Sequence, residues 1–395
     1  MNGVGSRAAA TALLAAIALA AAACGSGGSA SSGGGSGPIA IGVPVPLSGD
    51  YASAGTDILH GAQLAAKDIN ASGGIKGRKI KIVAQDDTCQ AQTAAQAAQK
   101  LISQSVVAAA GGYCSTAALP ELAAFHRAKI PFVMDASTNP QLTEEGFAEA
   151  LRTIGRDDEQ GPFVAKFITG FLHAKRVAVG NDNSTYSKGL ADSTVGALQK
   201  AGVQVVFNNA LTPGHSDYTS FLTKIAQSKP DLFYYSGYYP EFGLLLKEAK
   251  QLGINFTMMG GDANNDPTLM KTAGSAANGA LVDTAPLAQF LSSAKGYVSA
   301  YQAAYHAGPG PYSSYEYDAV GVIAQAIKKA GATQPTKITA ALHAMTSYSG
   351  ITGTFHLDNH GDRLPVNYIV TIVRNDSFVA YKKYDQSAGR WVDVG

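Results

Sequence analysis

Gly111-Gly112-Tyr113-Cys114-Ser115-Thr116 joins the short apolar run Val106 to Ala110 to a helical pattern over Ala117 to Ala128. A strand that ends in glycines and passes to a helix through Ser and Thr leaves unpaired backbone N–H groups above the strand end. The helix dipole favours negative charge there, and with no lysine in the stretch the expected anion is a small carboxylate rather than a polyphosphate. The rest of the chain has to say what carries it.

The same strand-then-helix grammar runs outward in both directions. On the N-terminal side the reading is a strand Ile39 to Leu47, a helix Thr56 to Asn70 stopped by Ser72-Gly73-Gly74, a strand Lys79 to Gln85 and a helix Ala91 to Ser103. On the C-terminal side Pro131 to Met134 is a strand running into Asp135-Ala136-Ser137-Thr138-Asn139-Pro140. Repeated βα units predict a doubly wound parallel sheet, in which ligands bind outside the carboxyl ends of the strands. The Ser115 and Thr138 loops share that edge. A second series begins after Arg152-Thr153-Ile154-Gly155 and alternates through the strand Phe256 to Gly260, so two α/β lobes are expected. Helices follow over Leu287 to His306, Tyr315 to Ala330 and Lys337 to Met345, with late strands at Pro365 to Val373 and Phe378 to Tyr384.

At 395 residues, 46% hydrophobic and 15% charged, the chain is long enough for two cores. Thirty basic against 29 acidic residues, a formal charge of +1, leave no basic footprint for nucleic acid. Residues 1–23 read as a signal peptide: Arg7 is the basic start, and Ala8 to Ala23 is an apolar run broken only by Thr11. Small residues before Cys24 resemble a bacterial lipobox, with Ala21 where a leucine is usual, which implies lipidation of Cys24. Residues 24–38 then form a lipidated Gly/Ser tether. A transmembrane anchor is the lesser alternative, because the run is shorter than the ~20 residues a span needs.

Cys89 and Cys114 remain as an even pair in an exported chain, where oxidising surroundings favour a disulfide. Closing that loop is worth about 3 kcal/mol in the chain-entropy model. A catalytic thiol at Cys114 lacks a histidine in any recognisable partner motif. His356 and His360 have metal-like spacing but fall around Asp358-Asn359-His360-Gly361-Asp362, which reads as a turn, so no metal and no cofactor are expected. Nucleophile elbows and phosphate-binding lysine loops are also missing from the sequence, so an enzyme is not expected.

Several runs together resemble a known family. Asp68-Ile69-Asn70 with Gly73-Gly74-Ile75-Lys76-Gly77, Asp86-Asp87-Thr88-Cys89, Ala136 to Pro140, Asp158-Glu159-Gln160-Gly161-Pro162 and Tyr234 to Glu241 look like the leucine/isoleucine/valine-binding proteins of bacterial ABC importers, in order and spacing. The resemblance implies a type I periplasmic binding fold, two doubly wound α/β lobes joined by a three-crossover hinge. Lobe 1 would be residues 39–155 plus 285–361 and lobe 2 residues 156–284 plus 362–395. It implies a monomeric extracytoplasmic lipoprotein, held to a bacterial membrane only by its lipid, that delivers an amino acid to a membrane permease. An amino-acid or amide sensor on the same fold is the alternative.

The resemblance also implies roles at matching positions. Ser115 and Thr138 would hold the carboxylate. The Ala136 carbonyl and the Thr138 hydroxyl, with Ser137 as a further ligand contact between them, and Asp262 from the second lobe would receive the ammonium. Tyr186 and Tyr238 would close the cleft. Asp262 stands where relatives carry glutamate. Ala54 stands where they place an aromatic against the ligand side chain, which implies a wider pocket for a bulkier or aromatic amino acid unless Tyr51 or Tyr113 fills the space.

Overall fold

The computed structural model describes residues 37–394. The signal peptide, Cys24 and most of the tether lie outside the described residues. Sixteen strands run in chain order: β1 Ile39–Val45, β2 Ile80–Asp86, β3 Ala108–Gly111, β4 Phe132–Met134, β5 Ala150–Arg152, β6 Arg176–Asn181, β7 Gln204–Ala210, β8 Leu232–Tyr235, β9 Thr257–Gly260, β10 Leu281–Thr284, β11 Tyr348–Gly350, β12 Gly353–Leu357, β13 Arg363–Leu364, β14 Ile369–Arg374, β15 Ser377–Asp385 and β16 Arg390–Asp393. They form a five-stranded sheet, β2-β1-β3-β4-β5, an eight-stranded sheet, β16-β15-β14-β10-β9-β8-β6-β7, and a small antiparallel sheet, β11-β12-β13.

Each large sheet reverses its winding once, between β1 and β3 in the first and between β6 and β8 in the second. The first sheet is parallel throughout, and the second is parallel from β7 to β10. Parallel strands are covered by helices on both faces and so read as continuous apolar runs, as in Ile39-Ala40-Ile41-Gly42-Val43 and Leu232-Phe233-Tyr234-Tyr235. Helices Ala52–Ala71 and Ser313–Ala330 pack together on the first sheet, and helices Asp157–Gly170 and Thr185–Lys200 on the second.

The chain alternation predicted these layers, but several pieces differ. The expected helix from Leu287 is two short 3-10 turns, with extended backbone at Leu291 between them, before a true helix at Lys295–Tyr305. Strand β10 escapes notice because its four residues end in polar Asp283-Thr284, both buried by the site rather than by apolar periodicity. The hairpin β12–β13 encloses the Asp358 to Asp362 turn, in which the Asp358 amide donates to the Asp362 carbonyl. The two histidines are thus separated by a strand end and a turn.

Cys89 and Cys114 are bridged, with Cα atoms 5.4 Å apart, and the bridge ties the β2 exit to the start of helix Ser115–Ala128. Beside it lies a pair of buried carboxylates, Asp87 and Glu121. Burial pushes Asp87 up to about 7 and, with Asp87 beside it, pushes Glu121 well above its usual range. In this window the folded chain holds protons that the unfolded chain has released, so stability falls as pH rises from about 4 through about 7. Glu121→Gln removes the Glu121 share of that loss. The variant is expected to gain at least about 1 kcal/mol over the parent at pH 8 and little at pH 4, measured by urea unfolding at both values.

Candidate functional site

All the candidate ligand contacts except Ala54 stand just beyond the carboxyl ends of strands. Ser115 follows β3, Ala136 to Thr138 follow β4, Tyr186 follows β6, Tyr238 follows β8 and Asp262 follows β9. Both glycines before the first of these have positive φ, +123° at Gly111 and +89° at Gly112, which is why glycine is needed where the chain leaves the sheet. Ser115 opens its helix in the first turn and is fully buried, so its N–H belongs to the group that has no acceptor within the helix. Its hydroxyl accepts a long bond, 3.4 Å, from the Asn139 amide.

The β4 exit loop is braced from below. Arg152, fully buried, donates to the carbonyls of Ser137 and Asn139 at 3.2 Å each and to the Thr143 hydroxyl at 2.7 Å, and it pairs with Asp362. This leaves Thr138 at the loop tip, 2% exposed, its hydroxyl without a well-aligned hydrogen bond. Ser137 points elsewhere: its hydroxyl donates to the Gly112 carbonyl at 2.7 Å, so the side chain joins the two loops and its place in the site is structural.

Opposite stands Asp262. Its Oδ1 accepts from the Tyr186 hydroxyl at 2.7 Å and from Gln160 Nε2 at 2.9 Å, and its Oδ2 accepts from the Tyr312 hydroxyl at 2.8 Å. Burial raises its pKa, and these three donors pull it back. The same Gln160 nitrogen also reaches Asp283, at 2.6 Å. Asp157 is the third acid. It is fully buried, neither carboxylate oxygen has a hydrogen-bond partner among the described residues, and burial with the charge of Asp262 holds its pKa well above the usual range. Thr138 lies close enough to favour the charged form of Asp157. Three acids thus converge with neutral donors around them, an arrangement that wants a cation.

Asp157, Gln160 and Tyr312 were not legible as site residues. Asp157 begins the acidic run Asp157-Asp158-Glu159, and nothing in the run says which carboxylate turns inward; Asp158 instead pairs with Arg156 at 2.7 Å. Tyr312 follows Gly308-Pro309-Gly310-Pro311, a segment without periodicity, and only the fold returns it to the cleft. Ala54 is 1% exposed in the helix Ala52–Ala71. Three residues before it, Tyr51 lies 4.9 Å from Tyr238 and 6.3 Å from Tyr113 between ring centroids. Tyr51, Tyr113 and Tyr238 thus form one aromatic cluster.

The two sheets' edges also touch directly. The Thr185 amide donates to the Thr116 hydroxyl at 3.1 Å, Asn139 Nδ2 to the Thr185 carbonyl at 2.8 Å, Ser53 to Asp266 at 3.1 Å and the Tyr239 hydroxyl to the Asp50 carbonyl at 2.7 Å. The cleft between the sheets is closed.

A family model described as periplasmic binding protein matches residues 38–376. The chain belongs to this family. An amino acid binding protein of Pseudomonas aeruginosa is 35% identical over 328 residues, 82% of this chain and 87% of that relative. The leucine-specific-binding protein of Salmonella typhimurium is 32% identical over 316 residues, 80% of this chain and 85% of that relative. Among solved structures, a leucine binding protein of Thermotoga maritima superposes with a TM-score of 0.82 at 30% identity, covering 86% of this chain and 97% of that one. The isoleucine complex of a branched-chain amino acid substrate binding protein from Streptococcus pneumoniae gives 0.81 at 28% identity, covering 87% and 98%. A periplasmic binding protein is an exported solute-binding protein with a two-sheet α/β fold, as the resemblance implied.

Proposed function

We propose that this periplasmic binding protein captures a free α-amino acid and delivers it to the membrane permease of an ABC importer. The observation that carries the reading is the pairing of opposite needs across one cleft. Ser115 offers helix-start donors on the first-sheet side, and the acids Asp262 and Asp157, with no cationic partner among the described residues, face it from the other. A zwitterion answers both, and burying it without such partners would cost several kcal/mol. Relatives named for amino acids, leucine and isoleucine support the class.

Ser115 and Thr138 then hold the carboxylate, and the Ala136 carbonyl, Thr138, Asp262 and Asp157 the ammonium. Lobe 1 comprises residues 39–155 plus 285–361, and lobe 2 residues 156–284 plus 362–395. The lobes close about the strands that connect them, and Cys24 carries the lipid that keeps the monomer at the membrane. Native mass spectrometry of the purified chain, followed by calorimetry with the proteinogenic amino acids, tests the reading. An α-amino acid should copurify or bind at micromolar concentration or below; no binding by any of them refutes it.

A further inference from the structure

The tyrosines of the cleft stand in two tiers with respect to Asp262. In the nearer tier, Tyr186 and Tyr312 donate their hydroxyls to its carboxylate. In the farther tier, Tyr238 packs against Tyr186 at 5.2 Å between centroids, and Tyr113 against Tyr312 at 5.6 Å. Tyr113 and Tyr238 come from opposite sides of the cleft and meet at 5.6 Å. Each is 3% exposed, and neither hydroxyl has a hydrogen-bond partner among the described residues. The neighbouring Tyr239 hydroxyl, by contrast, is engaged with the Asp50 carbonyl.

A ligand anchored by its ammonium at Asp262 extends its side chain toward the farther tier. In the shut form both phenol hydroxyls are already buried, so closing around an aliphatic side chain leaves them with nothing to bond, a loss that falls on binding. A side chain with its own hydroxyl or carboxamide satisfies them, since a phenol both donates and accepts. The acids that act on the two rings, Asp182 on Tyr238 and Asp266 on Tyr113, bond to neither hydroxyl and disfavour an anionic side chain.

We propose that Tyr113 and Tyr238 form a polar side-chain subsite selecting an amino acid with a neutral hydrogen-bonding side chain over the aliphatic or aromatic analogue of the same shape. The inference rests on the amino-acid reading above and deepens it. Sites built to bond a substrate hydroxyl discriminate strongly against analogues that lack it, whereas apolar pockets do so weakly.

Calorimetric titration with the matched pairs threonine and valine, asparagine and leucine, and tyrosine and phenylalanine tests it on the whole mature chain and on the double variant Tyr113→Phe/Tyr238→Phe. The polar member of at least one pair should bind about tenfold or more tightly in the parent. That preference should vanish in the double variant, whose melting curve reports folding independently. Equal or tighter binding of the apolar member in every pair overturns the subsite while leaving the amino-acid reading standing, as does a preference that survives in the double variant. Failure of all six to bind the parent overturns the subsite, and failure of every other proteinogenic amino acid as well overturns both.

Discussion

Asp262→Asn is expected to weaken amino-acid binding by about 2–5 kcal/mol, the usual cost of removing one partner of a buried, hydrogen-bonded charge pair. That is a factor of roughly 30 to several thousand in Kd. The substitution keeps the shape, and the carboxamide oxygen it introduces can still accept from Tyr186 or Gln160, so the scaffold around it remains. What is lost is the charge that faces the ammonium. Calorimetry supplies the Kd and a thermal melt the stability. A variant that binds within about threefold of the parent, a difference of under about 1 kcal/mol, with an unchanged melting curve, would remove Asp262 from the site.

A second large effect is expected at Arg152, which touches no ligand. Arg152→Met leaves the Ser137 and Asn139 carbonyls and the Thr143 hydroxyl without their buried donor and leaves Asp362 with Arg156 as its remaining cationic partner, at 2.9 Å. Breaking a buried ion pair from one side costs about 3–5 kcal/mol. The melting temperature should fall by several degrees, and binding should weaken because the loop that presents Ala136 and Thr138 loses its brace. Arg152→Lys keeps the charge but cannot span both carbonyls, so it should recover only part of the stability. Full recovery would mean that charge alone, and not the forked geometry, holds the loop.

Much of the fold was legible because βα alternation reports itself through local apolar runs, as in the strand read as Ile39 to Leu47 and found at Ile39–Val45, and in the helix Ala91–Ser103, whose bounds agree. Failures fall where burial is polar. β10 ends in Asp283-Thr284, and Asp283 is buried by Gln160 and Tyr234; Asp157 and Tyr312 acquire meaning only when distant strands share an edge. The roles of Ser115, Thr138, Tyr186 and Asp262 came from the family resemblance. Ser137, taken with them, sits in the right loop with its side chain turned away, a rotation that spacing along a strand exit does not encode.

The hydrogen bonds that Thr116 and Asn139 share with Thr185, and the bond from Tyr312 to Asp262, involve no ligand atom, so they favour the shut form whether or not the cleft is loaded. Such a bias cuts two ways. A larger shut fraction at rest raises apparent affinity, because less of the ligand's free energy goes into shifting the equilibrium. It also narrows the difference between empty and loaded protein as a permease senses it, since a ligand shifts populations only by its differential affinity. Sensitivity to scarce nutrient and freedom from idle signalling are therefore set against each other at Thr185.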